Sequence, residues 1–351
     1  MERQKSLFDI SWQVPEEEYR QDHAFSYSTL AKFEREGFNN LAHLFDKVDS
    51  PSLLFGSCVD ALMTGGEEEF NERFFVADFP EMEDKELKIV KMLFNEYSST
   101  YDSIFEIPYD TVRDFVLMLE YHSNWREDTR VKVLKEHCSV YYDLLRQADG
   151  KTLVDVHMHE AAQDCVSVLH TSPATSWYFQ EDYILDDSED DIERLYQLKF
   201  KATLNGIDYR CMADELVVNY TKKIIYPVDL KTSSHTEWDF YKSFTEWRYD
   251  IQARLYWRII RACLDADPYF KDFTLLDYRF IVVNKTTLTP LVWLFEATSD
   301  RGELTLEGKE KTYRLRDPET IAAELKNYLD ENPKVPEGIS LTDDNKILQW
   351  L

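Results

Sequence analysis

The stretch that most constrains the fold runs from Leu195 to Lys231, LYQLKFKATLNGIDYRCMADELVVNYTKKIIYPVDLK. From Tyr196 to Leu204 apolar and polar residues roughly alternate, the period of a half-buried strand. Asn205-Gly206 follows, the strongest short hairpin signal, because a type I′ turn needs positive φ at both central residues. A second strand runs from Ile207 to about Asn219, and a polar turn at Thr221-Lys222-Lys223 leads into a third run, Ile224 to Lys231. A two-residue loop pairs Leu204 with Ile207, and that register sets Asp214 opposite Gln197. A tight second turn sets Asp214 near Asp229. Asp229 and Lys231 are two apart, so they share a face. One sheet face would then gather two carboxylates, an amide and an ammonium. Like charges gather at a cost unless a cation offsets them. A hard divalent ion held by one or two carboxylates, waters and substrate phosphate suits this set.

The third run is almost continuously apolar before its charges, the mark of a strand buried on both faces. An unpaired charge there is costly. Asp229-Leu230-Lys231 therefore reads either as a buried structural pair or as a site. Downstream, Ile251, Leu255, Ile259 and Cys263 form an i, i+4 stripe, which predicts a helix from Tyr249 to Leu264. Gln252 and Tyr256 are also i, i+4 and share one side of it. Arg254 and Arg258, on a neighbouring face, are candidates for phosphate contacts. So is the polar loop Thr232-Ser233-Ser234-His235. The aromatic run Trp238, Phe240, Tyr241, Phe244, Trp247 and Tyr249 is mostly core, with some rings available to stack on nucleobases.

Asp214, then Asp229-Leu230-Lys231, then Gln252 and Tyr256 together resemble the PD-(D/E)xK nuclease superfamily. The resemblance is to its exonuclease branch: the RecE-type exodeoxyribonuclease, lambda exonuclease and the RecB-type nuclease domain. That branch carries an aspartate on one strand, D/E-x-K on the next and Q-x-x-x-Y on the following helix. The resemblance extends over about residues 25 to 295 and is weaker before Leu195. It implies an α/β, restriction-endonuclease-like fold: a mixed central sheet flanked by helices, with a helical N-terminal portion. It implies hydrolysis of DNA phosphodiester bonds with Mg²⁺ or Mn²⁺, in phage-type recombination or DNA end processing. Asp214, Asp229, Lys231, Gln252 and Tyr256 take the catalytic positions. Asp214, Asp229 and the Leu230 carbonyl take metal positions, and Ser233, Ser234 and Arg254 become substrate contacts. Phe55-Gly56-Ser57-Cys58-Val59-Asp60 looks like the family's G-x-x-x-H helix, with Asp60 at the histidine position. Asp60 is then either a further metal ligand or an exposed helix aspartate. Relatives often carry a glutamate near Gln197. Gln197 has either replaced a ligand, weakening one metal site, or is an ordinary strand residue in a register shifted by two. Relatives also act beside a single-strand annealing protein, and some form homo-oligomeric rings, in the host cytoplasm if phage-encoded. Some relatives hold an iron–sulfur cluster on four cysteines near the ends of the domain. The spacing of Cys58, Cys138, Cys165, Cys211 and Cys263 does not match, so no cluster is expected.

The formal net charge is −27. By itself this argues against a nucleic-acid binder, since phosphate contacts need Lys and Arg. Two other readings therefore stand beside the exonuclease: an inactive nuclease-fold acidic binding or inhibitor protein, and a structure-specific endonuclease. The five cysteines are odd in number and form no C-x-x-C, so they read as buried thiols in a reducing cytoplasm. No signal-peptide pattern opens the chain, and no apolar run approaches the ~18 residues of a membrane helix. Hydrophobic residues at 44% and aromatics at 14% predict a globular fold.

Taken in order, the chain reads as one elaborated domain. Residues 1–24 are a loose polar arm, 25–180 a helical part, 181–300 the catalytic sheet and helix, and 301–351 a C-terminal helix and tail. Helices are expected after Ser28 as N-cap, from Leu53 to Met63, Asp84 to Tyr97 and Asp110 to Tyr121, and Leu134 to Leu145 reads as a further helix or a helix–loop–helix. Glu67-Glu68-Glu69 reads as a solvated run. Asp155, His157 and His159 could begin a metal site, but no third His or Cys lies close by, so they read as helix-start residues. That helix ends at His170-Thr171-Ser172-Pro173. Glu181 to Glu193 reads as an acidic surface loop. Tyr278–Asn284 and Pro290–Phe295 read as strands extending the sheet, Pro318 to Leu329 as a helix, and Asn332 to Gly338 as a turn-rich tail.

Overall fold

A computed structural model of the chain describes residues 5–38, 41, 44, 50–179, 190–299, 302–305 and 312–331. The first of these do not form the loose arm that their composition suggests. A 3₁₀ turn, Leu7–Ile10, is closed by a capping box between Ser6 and Asp9, and Leu7 is fully buried. The Trp12 N–H donates to the Lys199 carbonyl at 2.7 Å, and Lys199 Nζ donates to the Val14 carbonyl at 2.8 Å. Buried apolar anchors and backbone bonds dock this segment despite its charge. Glu16, Glu17 and Glu18 sit in the first turn of α1 (Glu16–Gln21), where the helix dipole favours anions. The next helix, α2 (Tyr27–Glu36), follows an extended Ser26, so Ser26 and not Ser28 is its N-cap residue.

Two units divide the chain: residues 1–56 with 165–351, and residues 57–164. Their boundaries fall inside helices, at Gly56 in α3 (Pro51–Arg73) and at Asp164 in a later one. No Pro- or Gly-rich linker marks either boundary in the sequence. Past the expected Met63, α3 continues to Arg73 through a break at Gly66, whose φ of 66° only glycine adopts freely. In the second unit, β1 (Phe74–Ala77) precedes α4 (Asp84–Tyr97), at the bounds its periodicity predicts. Next come α5 (Tyr109–Met118) and α6 (Glu127–Gln147). The first of these ends sooner than its apolar pattern suggests, since Glu120 turns left-handed at φ 49°. Ile89, Val90, Leu93, Val112, Val116, Leu134 and Cys138 join these three helices in one core. β2 (Thr152–Asp155) pairs in parallel with β1, and α7 (Val156–Thr171) follows.

The larger unit is built on the hairpins foreseen from Leu195 onward. After α8 (Ser176–Phe179) come β3 (Ile192–Leu204), β4 (Ile207–Asn219) and β5 (Ile224–Ser233). Asn205 and Gly206 both have positive φ, 49° and 78°, so the type I′ turn forms and Leu204 pairs with Ile207. The second turn sets Asn219 against Ile224 and Glu215 against Val228, the register that brings Asp214 level with Asp229. α9 (Phe240–Glu246) and α10 (Tyr249–Ala266) then cross over to β6 (Thr274–Leu275) and β7 (Tyr278–Asn284). Both of these strands run parallel to β5, and β8 (Pro290–Phe295) closes the sheet antiparallel to β7. The order β3-β4-β5-β7-β8 makes β5 the central strand. The chain thus forms a mixed central sheet with flanking helices, as expected. A small hairpin, β9 (Glu303–Thr305) with β10 (Thr312–Arg314), precedes α11 (Pro318–Glu331). The core joins β3, β4, β5 and β7 to α10 and α11 through Phe200, Leu216, Ile225, Phe280, Leu255, Ile259 and Leu325. Most of the expected acidic loop (181–189) and the tail from Asn332 lie outside the described residues.

Candidate active site

The site grows from one break in a regular ladder. Every rung between β3 and β4 closes from Ile192–Asn219 to Leu204–Ile207, except the one where Gln197 faces Asp214. Gln197 has φ 52°, a left-handed conformation that costs a side-chain-bearing residue of order 1–2 kcal/mol. The inward-facing set changes parity there. Tyr209, Cys211 and Ala213 face the core on one side of the break, and Leu216 and Val218 on the other. Such interruptions re-aim side chains and gather near active sites. The expected register holds, so the shift by two is ruled out. Gln197 is nonetheless not an ordinary strand residue, because its backbone is left-handed within an extended strand.

Asp214 is used at once: its Oδ2 accepts the Leu230 N–H at 2.9 Å. That bond ties β4 to the Asp229-Leu230-Lys231 segment of the central strand. The Asp229 side chain is fully buried. Its Oδ2 pairs with Lys231 Nζ, and its Oδ1 accepts a hydrogen bond from Gln252 Nε2 on α10. Burial pushes the Asp229 carboxyl up, while the Lys231 ammonium and the bonds from Lys231, Asp214 and Gln252 hold that rise back. Burial alone would lower the Lys231 ammonium, but the charges of Asp229 and Asp214 outweigh it and keep it above its usual range.

Gln252 and Tyr256 lie on the buried face of α10, as their spacing predicts. Gln252 Oε1 is buried and has no hydrogen-bond partner among the described residues. Burial raises the Tyr256 phenol well above its usual range, with Tyr19, Cys211, Asp229 and Asp214 adding to it. Its ring stands edge-on to Tyr27 and Tyr278, at 6.5 and 6.4 Å. Tyr249, in sequence only one ring of the aromatic run, lies 5.0 Å beneath the Lys231 ammonium. Phe280 and Phe240 stack against that ring at 5.6 and 6.1 Å. The aromatic run in the sequence signalled a core, but not which ring would meet the lysine.

Three expected contacts are placed otherwise. Arg254 is only 3% exposed, and its guanidinium lies 5.8 Å from the Phe295 ring. It is packed inside and not offered to phosphate. Arg258 is held by Asp317 and Glu319. The Ser233 hydroxyl accepts the His235 N–H at 3.0 Å and meets Ser243 at 3.5 Å, so it braces the loop, whereas Ser234 is exposed. Asp60 belongs to the second unit, where Arg73 pairs with it at 3.8 Å. His157 and His159 pair with Glu160 and Glu67, and His159 also packs on Phe70.

Among the described residues no group of three or more His, Cys, Asp or Glu side chains comes together as a metal site. A cation here would draw on Asp214, Asp229, the Leu230 carbonyl and the Gln252 amide oxygen. All are oxygens, which suits Mg²⁺ or Mn²⁺ completed by waters. The buried, unbonded Oε1 of Gln252, on the side chain that bonds Asp229, fits such a cation.

No protein-family model matches the chain, and no curated protein matches it. Among solved structures it is similar to a "putative exonuclease" from Eubacterium rectale. The identity is 14%, the coverage 95% of this chain and 92% of that one, and the TM-score 0.42. That likeness is too loose to carry an argument about this chain. Among the described residues no helix is long and apolar enough to cross a membrane.

Proposed function

We propose that this chain is a metal-dependent deoxyribonuclease with a restriction-endonuclease-like core, acting as an exonuclease. The observation that carries this is the convergence of Asp214, Asp229, Lys231 and Gln252 at one place on the central strand. As a purely structural device this set is uneconomical. A buried ion pair rarely stabilises a fold more than apolar residues of the same volume. Here it is also joined by a second carboxylate and by a glutamine with an unused acceptor.

Asp214 and Asp229, with the Leu230 carbonyl and Gln252 Oε1, would hold Mg²⁺ or Mn²⁺. When bound, such an ion lowers the pKa of water and offsets charge on the scissile phosphate. Lys231, held cationic between Asp229 and Tyr249, stabilises negative charge developing on the phosphate and orients the attacking water. Gln252 fixes the rotamer of Asp229. Tyr256, packed between Tyr27 and Tyr278, keeps that side of the site closed to bulk solvent.

The acidic balance and the burial of Arg254 favour a second reading, an inactive acidic binding protein on the same fold. Cleavage of linear double-stranded DNA with Mg²⁺ or Mn²⁺ separates the two, comparing wild type with Lys231→Ala and Asp229→Ala. Degradation from the ends that both substitutions abolish, in variants still folded by circular dichroism, is the expected result. Equal cleavage of closed circular DNA would make it an endonuclease. A folded wild type inert toward every nucleic acid would leave the binding protein.

A further inference from the structure

Trp238 is 81% exposed. It stands on the loop that leaves the central strand just after Lys231. The loop is braced from several sides. The His235 N–H donates to Ser233 Oγ at 3.0 Å. Asn284 Nδ2 donates to the His235 carbonyl at 3.0 Å, and the Asp239 N–H to the Thr236 carbonyl at 2.9 Å. Asn284 is itself buried at the end of β7 and accepts the N–H groups of Thr286 and Thr287. Immediately after Trp238, α9 seats Phe240 and Phe244 against Tyr249, Phe280 and Trp293. Tyr249 is the ring beneath the Lys231 ammonium. The indole is therefore held out on a fixed support only two residues from the aromatic stack that carries Lys231. Burial does not explain it, because the core contacts of this segment belong to Phe240 and Phe244.

The charge of the chain says what such a ring can bind. Its chain neighbours Glu237 and Asp239 are acidic, and Lys242 is paired with Asp239 at 3.1 Å. Phosphate contacts and counterion release cannot supply much affinity on such a surface. A stacked base can, since every base presents a π-face and stacking needs no positive charge. Inside a duplex both faces of each base are covered by its neighbours. Only a terminal or unpaired base has a face to offer.

We propose that Trp238 is a stacking platform for an exposed nucleobase, so that the site takes DNA ends and single strands and passes over continuous duplex. The proposal rests on the nuclease reading for the role of the neighbouring site, but its own prediction is about binding. Chain acidity then selects for ends: at a net charge of −27 the duplex body contributes little and the stacked base dominates.

The test is fluorescence anisotropy without divalent metal, so that nothing is cleaved. The probes are a labelled single-stranded oligonucleotide, a blunt-ended duplex and a small covalently closed duplex circle. Wild type, Trp238→Phe and Trp238→Ala are compared at low and moderate NaCl. Trp238→Ala should weaken binding of the single strand and the blunt end about 5- to 150-fold, the range of one stacked base. Trp238→Phe should recover much of this. The circle should bind weakly to all three, and the dependence on salt should be shallow. Trp238→Ala binding as wild type does, or a steep salt dependence with the circle bound equally well, overturns the proposal. Metal-dependent cleavage is then measured on the same proteins. A wild type that cleaves while Trp238→Ala binds normally removes the platform and leaves the nuclease. A Trp238-dependent binder that never cleaves leaves the platform and removes the nuclease. Because the side chain is exposed, Trp238→Ala should keep the melting temperature of wild type.

Discussion

At the scale of single residues, Asp229 has two jobs that substitution can separate. It is fully buried, and its charge is balanced by Lys231, whose side chain keeps 18% exposure. Removing one member of a buried pair leaves the other uncompensated. Lys231→Met should therefore destabilise the fold by about 3 kcal/mol, the low end for such a change because the ammonium is not wholly buried. The double variant Asp229→Asn/Lys231→Met should regain most of that loss in urea unfolding while remaining inactive. A double variant as unstable as Lys231→Met alone would show that the pair is not what the fold depends on. The same scale shows why Arg254 misled. It lies four residues after Asp250 and three before Trp257 on one helix, and spacing alone does not say whether a guanidinium between them meets solvent or the Phe295 ring.

At the scale of elements, the start of α4 is a self-contained electrostatic device. Glu83 and Glu86 form a capping box, and Glu86 also accepts the Tyr121 hydroxyl at 2.7 Å and meets His137 Nδ1 at 3.2 Å. Burial pushes the Glu86 carboxyl up, but the bonds from Tyr121, the Glu83 N–H and His137 outweigh it and hold it below its ordinary value of 4.5. The folded state thus binds this proton less readily than the unfolded state. Its stabilising contribution is complete above 4.5 and disappears as pH falls through the lowered folded value. Tyr121→Phe should cost about 1–2 kcal/mol at pH 7, with the gap to wild type narrowing steadily in acid. Denaturant unfolding at neutral pH and at pH 3 checks this, and an equal gap at both would mean that the hydroxyl acts through packing alone. Hairpin geometry was legible at this scale because it depends on neighbours in the chain. Asn205-Gly206 fixes the turn by backbone conformation, and the turn fixes every rung beyond it. Gln197 was the exception. Nothing in its local sequence asks for a left-handed residue, and the strain is sustained by the strands on either side.

At the scale of the whole molecule, a net charge of −27 works against compactness. Self-repulsion is screened over about 10 Å at 0.1 M salt. The melting temperature should therefore climb between 10 mM and 0.5 M NaCl in differential scanning fluorimetry. A flat or falling curve would mean that ion pairs such as Arg248 with Glu34 and Asp250 contribute more than repulsion removes. By itself the sequence determined the three strands from Leu195, the common face of Asp229 and Lys231, and the helix face that carries Gln252 and Tyr256. All of these follow from turn chemistry and from periods of two and 3.6 residues, which act over short stretches of chain. Tertiary structure alone decided that the N-terminal residues dock on β3 and that the chain divides inside two helices. It also decided that Arg254 is enclosed, that Tyr249 lies beneath Lys231, and that Gln197 breaks the ladder beside Asp214. Each depends on which distant surfaces meet when the core closes, and short-range spacing does not encode that choice.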